Sequence, residues 1–198
     1  MFAALLDTSV LWPSLQRDFL LSLAAEGLYR PLWSEAILEE LNTHEALKLI
    51  DRGETPDAAG ARAEHLITRM REAFDDAIVT GWEPLEGTFG LPDPDDEHVV
   101  AAAVVGGAGV IVTHNLKDFP ATEVPRHLDI QTPREFAANT ASVDPVRAAR
   151  VLVEIANRHR NPKHSPEELL DLLVSRYGMN DVADMAQPFL ADISDTKK

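Results

Sequence analysis

Carboxylates gather at four separated places in this chain. They are Asp7 behind a short apolar run, Glu39 and Glu40 inside a helical stretch, the cluster Asp93, Asp95 and Asp96, and Asp118 behind a second apolar run. Hard divalent cations such as Mg²⁺ and Mn²⁺ take oxygen ligands, and carboxylates spread along a chain meet only where a fold brings several strand tips together. A site of that kind would hold one or two ions, activate a water and steady the charge on a phosphodiester during in-line attack.

Other chemistries lack their residues. There is no cysteine, so neither a disulfide framework nor a thiolate zinc site can form. The seven histidines show no HExxH or close pairing, and no Gly-x-Ser-x-Gly turn occurs. Gly106-Gly107-Ala108-Gly109 follows a helix and precedes a strand, the reverse of a dinucleotide-binding turn. An aspartyl-phosphate phosphatase would carry Asp-x-Asp after the first strand, whereas Asp7 is followed by Thr8 and Ser9.

The elements that must position the acids follow from periodicity. Ala3 to Leu6 reads as a buried strand with Asp7 at its carboxyl tip, the ligand edge of a parallel sheet. Helical spacing runs through Phe19, Leu20, Leu23 and Ala24 and stops at Gly27; residues 28–32 suit a second strand, and Trp33-Ser34 leads into a helix through Ile37, Leu38 and Leu41. After a break at residues 53–56, residues 57–75 form another helix, 77–79 a strand, 83–92 a loop, 96–106 a helix and 109–113 a strand. A further short strand falls near 128–130. Strands alternating with helices predict a parallel sheet flanked by helices on both faces.

From Asp144 the character changes to helices alone. Asp144-Pro145 and Ser165-Pro166-Glu167-Glu168 open two of them, and Asn180-Asp181 opens a last one. The chain is therefore divided into an α/β domain over residues 1–138 and a small all-helical C-terminal extension over 139–198.

Of 198 residues, 45% are hydrophobic and 26% charged, the composition of a folding chain. The net charge of −15 lies almost wholly in the first part, with 10 Lys/Arg against 24 Asp/Glu over residues 1–138 and 8 against 9 after it. Such a field attracts cations and basic partners and repels a phosphate backbone, so a nucleic-acid substrate needs metal, a local basic strip or a second chain. The first residues carry an acid and lack a basic leader, and no apolar run is long enough to span a bilayer. The expectation is a soluble cytoplasmic protein with no membrane partner.

The motifs Asp7-Thr8-Ser9, the run from Trp33 to Leu41, Pro92-Asp93-Pro94-Asp95-Asp96 with His98, and the run from Val112 to Phe119 stand in the order found in the PIN domain family. Over residues 1–138 the chain resembles that family, and within it the VapC-like toxin ribonucleases. The resemblance implies a PIN-like α/β/α sandwich and an endoribonuclease dependent on Mg²⁺ or Mn²⁺. It also implies an RNA substrate, a cognate antitoxin that blocks the site and, in many relatives, a homodimer.

By family register Asp7, Asp96 and Asp118 match three of the four acids, with Thr113 and Asn115 as polar companions on the last strand tip. The second acid is Glu40 or Glu39; the register and the helical wheel both favour Glu40, which lies nearer the side defined by Ile37 and Leu41. Asp93 is an outer ligand candidate. Arg17 and His98 are substrate-contact candidates, each with a plainer alternative: a salt bridge to Asp18 or Glu26 for Arg17, and a half-buried structural histidine for His98. The basic run Arg158, His159, Arg160, Lys163 and His164 suits a solvated loop better than an RNA grip. The rival to an enzyme is a non-catalytic PIN-like module that binds RNA or protein.

Overall fold

In the computed structural model, residues 2–159 and 162–195 are described. Five strands form one parallel sheet: β1 (Ala3–Leu6), β2 (Arg30–Ser34), β3 (Ile78–Val79), β4 (Val110–Val112) and β5 (Asp129–Gln131). Their order is β3-β2-β1-β4-β5. The chain steps outward from β1 in one direction and then in the other, so β1 and β4 flank the topological switch point, where open α/β sheets bind ligands at the strands' carboxyl ends. Register is tight there: Leu6 pairs with Val112, and the Asp7 amide continues the ladder by donating to the Val112 carbonyl at 3.1 Å.

The helices are α1 (Thr8–Leu11), α2 (Ser14–Ala25), α3 (Glu35–Asp51), α4 (Pro56–Ala73), α5 (Glu97–Gly106), α6 (Pro133–Val143), α7 (Pro145–Arg158), α8 (Pro166–Tyr177) and α9 (Asn180–Asp195). The architecture is the α/β/α class predicted from the alternating pattern, with further helices toward the C-terminus. No helix among the described residues is long and apolar enough to cross a membrane.

By internal contacts the chain forms two units that are not contiguous in sequence. An α/β unit comprises residues 2–12 and 30–131, and a helical unit comprises residues 13–29 and 132–195 of the described chain. The boundary drawn at residue 138 runs through α6. Helix α2, lying between two strands in sequence, belongs to the helical unit, where it packs on α7.

In the α/β unit, α5 packs on β1, β2 and β4 and is buried almost all round from Val99 to Ala103, which explains its run of Val and Ala. Two of its glycines have separate uses. A Cβ on Gly106 would lie 2.8 Å from Val79 Cγ2 and 3.0 Å from Leu32 Cδ1, so helix and sheet touch there. Gly107 ends the helix with φ 67°, a left-handed conformation that costs glycine little. Strand β2 begins at Arg30, not at 28, because the Leu28 amide turns back to the Leu23 carbonyl at 3.1 Å around Gly27 and closes the end of α2.

The helical unit is punctuated by side-chain caps. Thr132 with Glu135 and Ser165 with Glu168 form reciprocal capping boxes, and Asp144 accepts from the Arg147 amide. In its core, Tyr29 meets Phe136 edge to face at 4.8 Å and donates its hydroxyl to the Leu20 carbonyl at 3.0 Å.

Candidate metal centre

The carboxyl ends of β1 and β4 deliver Asp7 and Thr113 side by side. Asp7 occupies the N-cap position of α1 yet its carboxylate makes no cap bond. Its Oδ2 instead accepts Ser9 Oγ at 2.6 Å and Thr113 Oγ1 at 2.7 Å. Those hydroxyls are themselves aimed by the loop after β4: the His114 amide donates to Ser9 Oγ at 3.2 Å and the Asn115 amide to Thr113 Oγ1 at 3.0 Å. Chains of hydrogen bonds of this kind polarise one another and lock the terminal acceptor. Thr113 and Asn115 thus orient Asp7, one through its hydroxyl and the other through its backbone.

Glu40 comes from α3, whose start is set by Ser34 accepting the Ile37 amide at 3.2 Å. That phase buries Ile37 and Leu41 and turns Glu40 toward Asp7, whereas Glu39 lines a separate groove with Glu35, Glu64 and Arg71. Thr8 Oγ1 donates to Glu40 Oε2 at 2.6 Å, and His98 Nε2 lies 3.2 Å from Glu40 Oε1. Burial pushes Glu40 up, but the bonds from His98 and Thr8 and the charges of His98 and His44 outweigh it and hold Glu40 below its usual range. Burial likewise pulls His98 down, and the bond to Glu40 with the charges of Glu40, Asp7 and Glu86 overrides it, so His98 stands above its ordinary value. His98 is 6% exposed, which makes it a holder of Glu40 and leaves little of it for substrate.

Asp96 arrives by a different device. Glu97, buried beside it, accepts the amides of Phe89, Gly90 and Leu91 at 3.0, 2.6 and 2.9 Å. Burial raises Glu97, and the backbone donors more than reverse it. This clamp fixes the loop that runs into Asp93, which caps a single 3₁₀ turn, Pro94–Asp96, by accepting the Asp95 amide at 3.0 Å. Asp95 is exposed. Asp96 makes no cap bond for α5, and burial, then the charges of Asp7, Asp93 and Asp118, push its carboxyl up to about 6; His98 offsets this only in part. Asp118 stands on a 3₁₀ turn, Leu116–Asp118, with Lys117 Nζ 3.9 Å from its Oδ1.

A cavity of about 420 Å³ is lined by Asp7, Thr8, Ser9, Trp12, Glu40, His44, Asp96 and Asn115. Among the described residues no three His, Asp or Glu side chains stand close enough to hold an ion as placed. The donor chemistry nonetheless fits a hard divalent cation: the acids are all oxygen donors, and Asp96 resists ionising because of its burial and then the like charges of Asp7, Asp93 and Asp118. Arg17 is not among the cavity residues; it is buried in α2, in the helical unit.

Sequence reasoning passed over Ser9, Thr8, His44, Trp12 and Glu97 as parts of the site. Glu97 carries a signal, an acid in an otherwise apolar helix following Gly87 and Gly90.

The parallel sheet with a switch point, and acids gathered beside its carboxyl edge, makes this an open, doubly wound α/β domain. A family model for the PIN domain matches residues 3–117, more than half of the chain, and the chain belongs to that family. PIN domains are generally nucleases and typically use divalent metals. No curated protein and no solved structure matches the chain.

Proposed function

We propose that this protein is a metal-dependent endoribonuclease that hydrolyses RNA phosphodiester bonds, with Asp7, Glu40, Asp96 and Asp118 as the residues that hold Mg²⁺ or Mn²⁺ and Asp93 as an outer ligand. The observation that carries the reading is the meeting of Asp7, Glu40 and Asp96 on one cavity, where Asp96 is half-buried and set against the charges of Asp7, Asp93 and Asp118. Folding gains nothing from that conflict, and cation binding resolves it. A divalent ion bound there supplies Lewis-acid activation of water and neutralises charge developing on the phosphodiester.

The chain's own residues do the positioning. Ser9 and Thr113 spend their hydroxyl protons on Asp7 Oδ2, so Oδ1 keeps its coordinating capacity. Thr8 and His98 each hold one oxygen of Glu40 and keep it ionised for an ion to bind.

The VapC-like resemblance supports a toxin of a type II toxin–antitoxin pair acting in the cytoplasm. Its cognate antitoxin would place a basic or polar tail in the acidic cavity, and a homodimer is the assembly the resemblance favours. The purified protein is expected to cut RNA with Mn²⁺ or Mg²⁺ and to be silenced by chelation; unchanged cleavage in chelator would overturn the assignment. A second reading, a PIN-like module that binds RNA or protein without cutting, is favoured by the acids standing apart as placed. It predicts no thermal stabilisation by Mn²⁺, whereas a specific ion site raises Tm by mass action.

A further inference from the structure

Trp12 is 43% exposed, while Trp33 and Trp82 are 0% and 8% exposed. It closes α1 and lines the cavity that holds Asp7, Glu40 and Asp96. Large aromatic side chains are ordinarily buried, and an exposed one that serves no core is free to drift. This one is held. Its indole Nε1 donates to the His44 carbonyl at 3.3 Å, and Lys48 Nζ both donates to the Trp12 carbonyl at 3.2 Å and lies 5.6 Å from the ring centroid. Lys48 is in turn paired with Glu45, and both side chains are about nine-tenths covered. Helix α3, which supplies Glu40, therefore also fixes the plane of an exposed indole beside the acids.

That arrangement answers a difficulty set by the charge of −15. An acidic protein cannot hold a phosphate backbone by a basic surface field, and base stacking on an aromatic face is a contact that does not depend on one. Resting on the ribonuclease reading, we propose that Trp12 positions the substrate by stacking an unpaired nucleobase of the RNA beside the scissile phosphate, so that the enzyme requires single-stranded RNA at that nucleotide. A protein partner on the same indole is the competing occupant, and its position among the carboxylates favours the nucleobase.

The test uses the full chain with Trp12→Ala and Trp12→Phe, an unpaired oligoribonucleotide and the same sequence in a duplex. In chelator, where cleavage stops, the unpaired RNA quenches tryptophan emission of the wild type and fails to quench Trp12→Ala, whose remaining indoles are buried. With Mn²⁺, Trp12→Ala raises KM for unpaired RNA about tenfold or more, with a smaller effect on kcat, and Trp12→Phe recovers most of the loss. The preference for unpaired over duplex RNA shrinks in parallel. If the wild type cleaves RNA but Trp12→Ala keeps its KM and strand preference, the stacking role is wrong while the ribonuclease reading stands. The stacking role is equally wrong if Trp12→Ala alters only self-association or protein binding. A wild type that neither binds nor cuts RNA removes both.

Discussion

Asp18 in the helical unit and Asp96 in the α/β unit are both half-buried carboxylates, and their surroundings are opposite. Asp18 takes Arg158 Nη2 on Oδ1 at 2.8 Å and His159 Nε2 on Oδ2 at 3.1 Å. Asp96 faces Asp7, Asp93 and Asp118 and is pushed up to about 6 by burial and by their charges. The contrast extends to neighbours: Glu26 meets Arg150 at 3.3 Å, and Asp144, Glu135 and Glu168 are engaged in helix caps. The helical unit uses these acids to finish its structure, and the α/β unit, which spends Glu97 and Glu45 the same way, leaves Asp96 in conflict. Charge left in conflict marks a candidate functional site, because a bound cation resolves it at neutral pH where protonation does not.

The sharpest way to break this comparison is to remove the acid at the switch point. Asp7→Asn keeps a side chain that can still accept from Ser9 and Thr113, so the fold should persist by circular dichroism. RNA cleavage with Mn²⁺ is expected to fall by about a thousandfold, the scale of losing a group that organises charge stabilisation. Equal turnover by the purified variant would remove Asp7 from the chemistry.

Next in size is a change to the platform beneath the site. Gly106→Ala places a methyl against Val79 and Leu32, whose branched carbons give way poorly. Overpacking of this kind costs about 1–3 kcal/mol. A lowered midpoint in urea with unchanged m value reads it out, whereas Gly107→Ala loses stability for another reason, its φ of 67°.

Removing the conflict itself should stabilise. Asp96 ordinarily titrates near 3.8 and stands at about 6 in the fold, so between those values the folded state binds more protons than the unfolded one. Stability from this group therefore falls as pH rises through that window and stays reduced above it. Asp96→Asn is expected to melt about 2–4 °C above the wild type at pH 7 without metal, the shift of about 1 kcal/mol in a chain this size after solvent screening is allowed for. The gap should close between pH 6 and pH 4. Added Mn²⁺ should stabilise the wild type and not the variant; a variant that melts lower at pH 7 would contradict the conflict.

The sequence made the strand-tip acids legible because each follows a short apolar run or opens a helix, and an α/β alternation fixes which sheet edge those places occupy. It did not show what holds them. The bond from Thr113 to Asp7 joins residues 106 apart and depends on the β1–β4 register, and the contact of His98 with Glu40 depends on how α5 and α3 are phased about the sheet. Neither is encoded locally. Helix α2 is placed by long-range contacts in the same way: it follows β1 and precedes β2 in sequence, yet packs with α7 through contacts that no local pattern announces.

The smallest expected effect tests the other side of the comparison. Arg158 belongs to the chain's densest basic run, in which Arg160 lies outside the described residues. Arg158 Nη2 donates to Asp18 Oδ1 and to Ser22 Oγ, each at 2.8 Å, and His164 lies 3.6 Å from Glu168. If this run is structural, Arg158→Ala and Asp18→Ala should each cost little and share a coupling of about 0.5–1 kcal/mol in a double-mutant cycle, because the pair is partly exposed. KM for RNA should not move in either. If the run instead grips a phosphate backbone, the two substitutions act in opposite directions, Arg158→Ala raising KM and Asp18→Ala lowering it by freeing the guanidinium, and the salt dependence of binding weakens in the first alone. Stability coupling with an unmoved KM keeps the division of labour between the units; opposed shifts in KM would extend substrate binding into the helices.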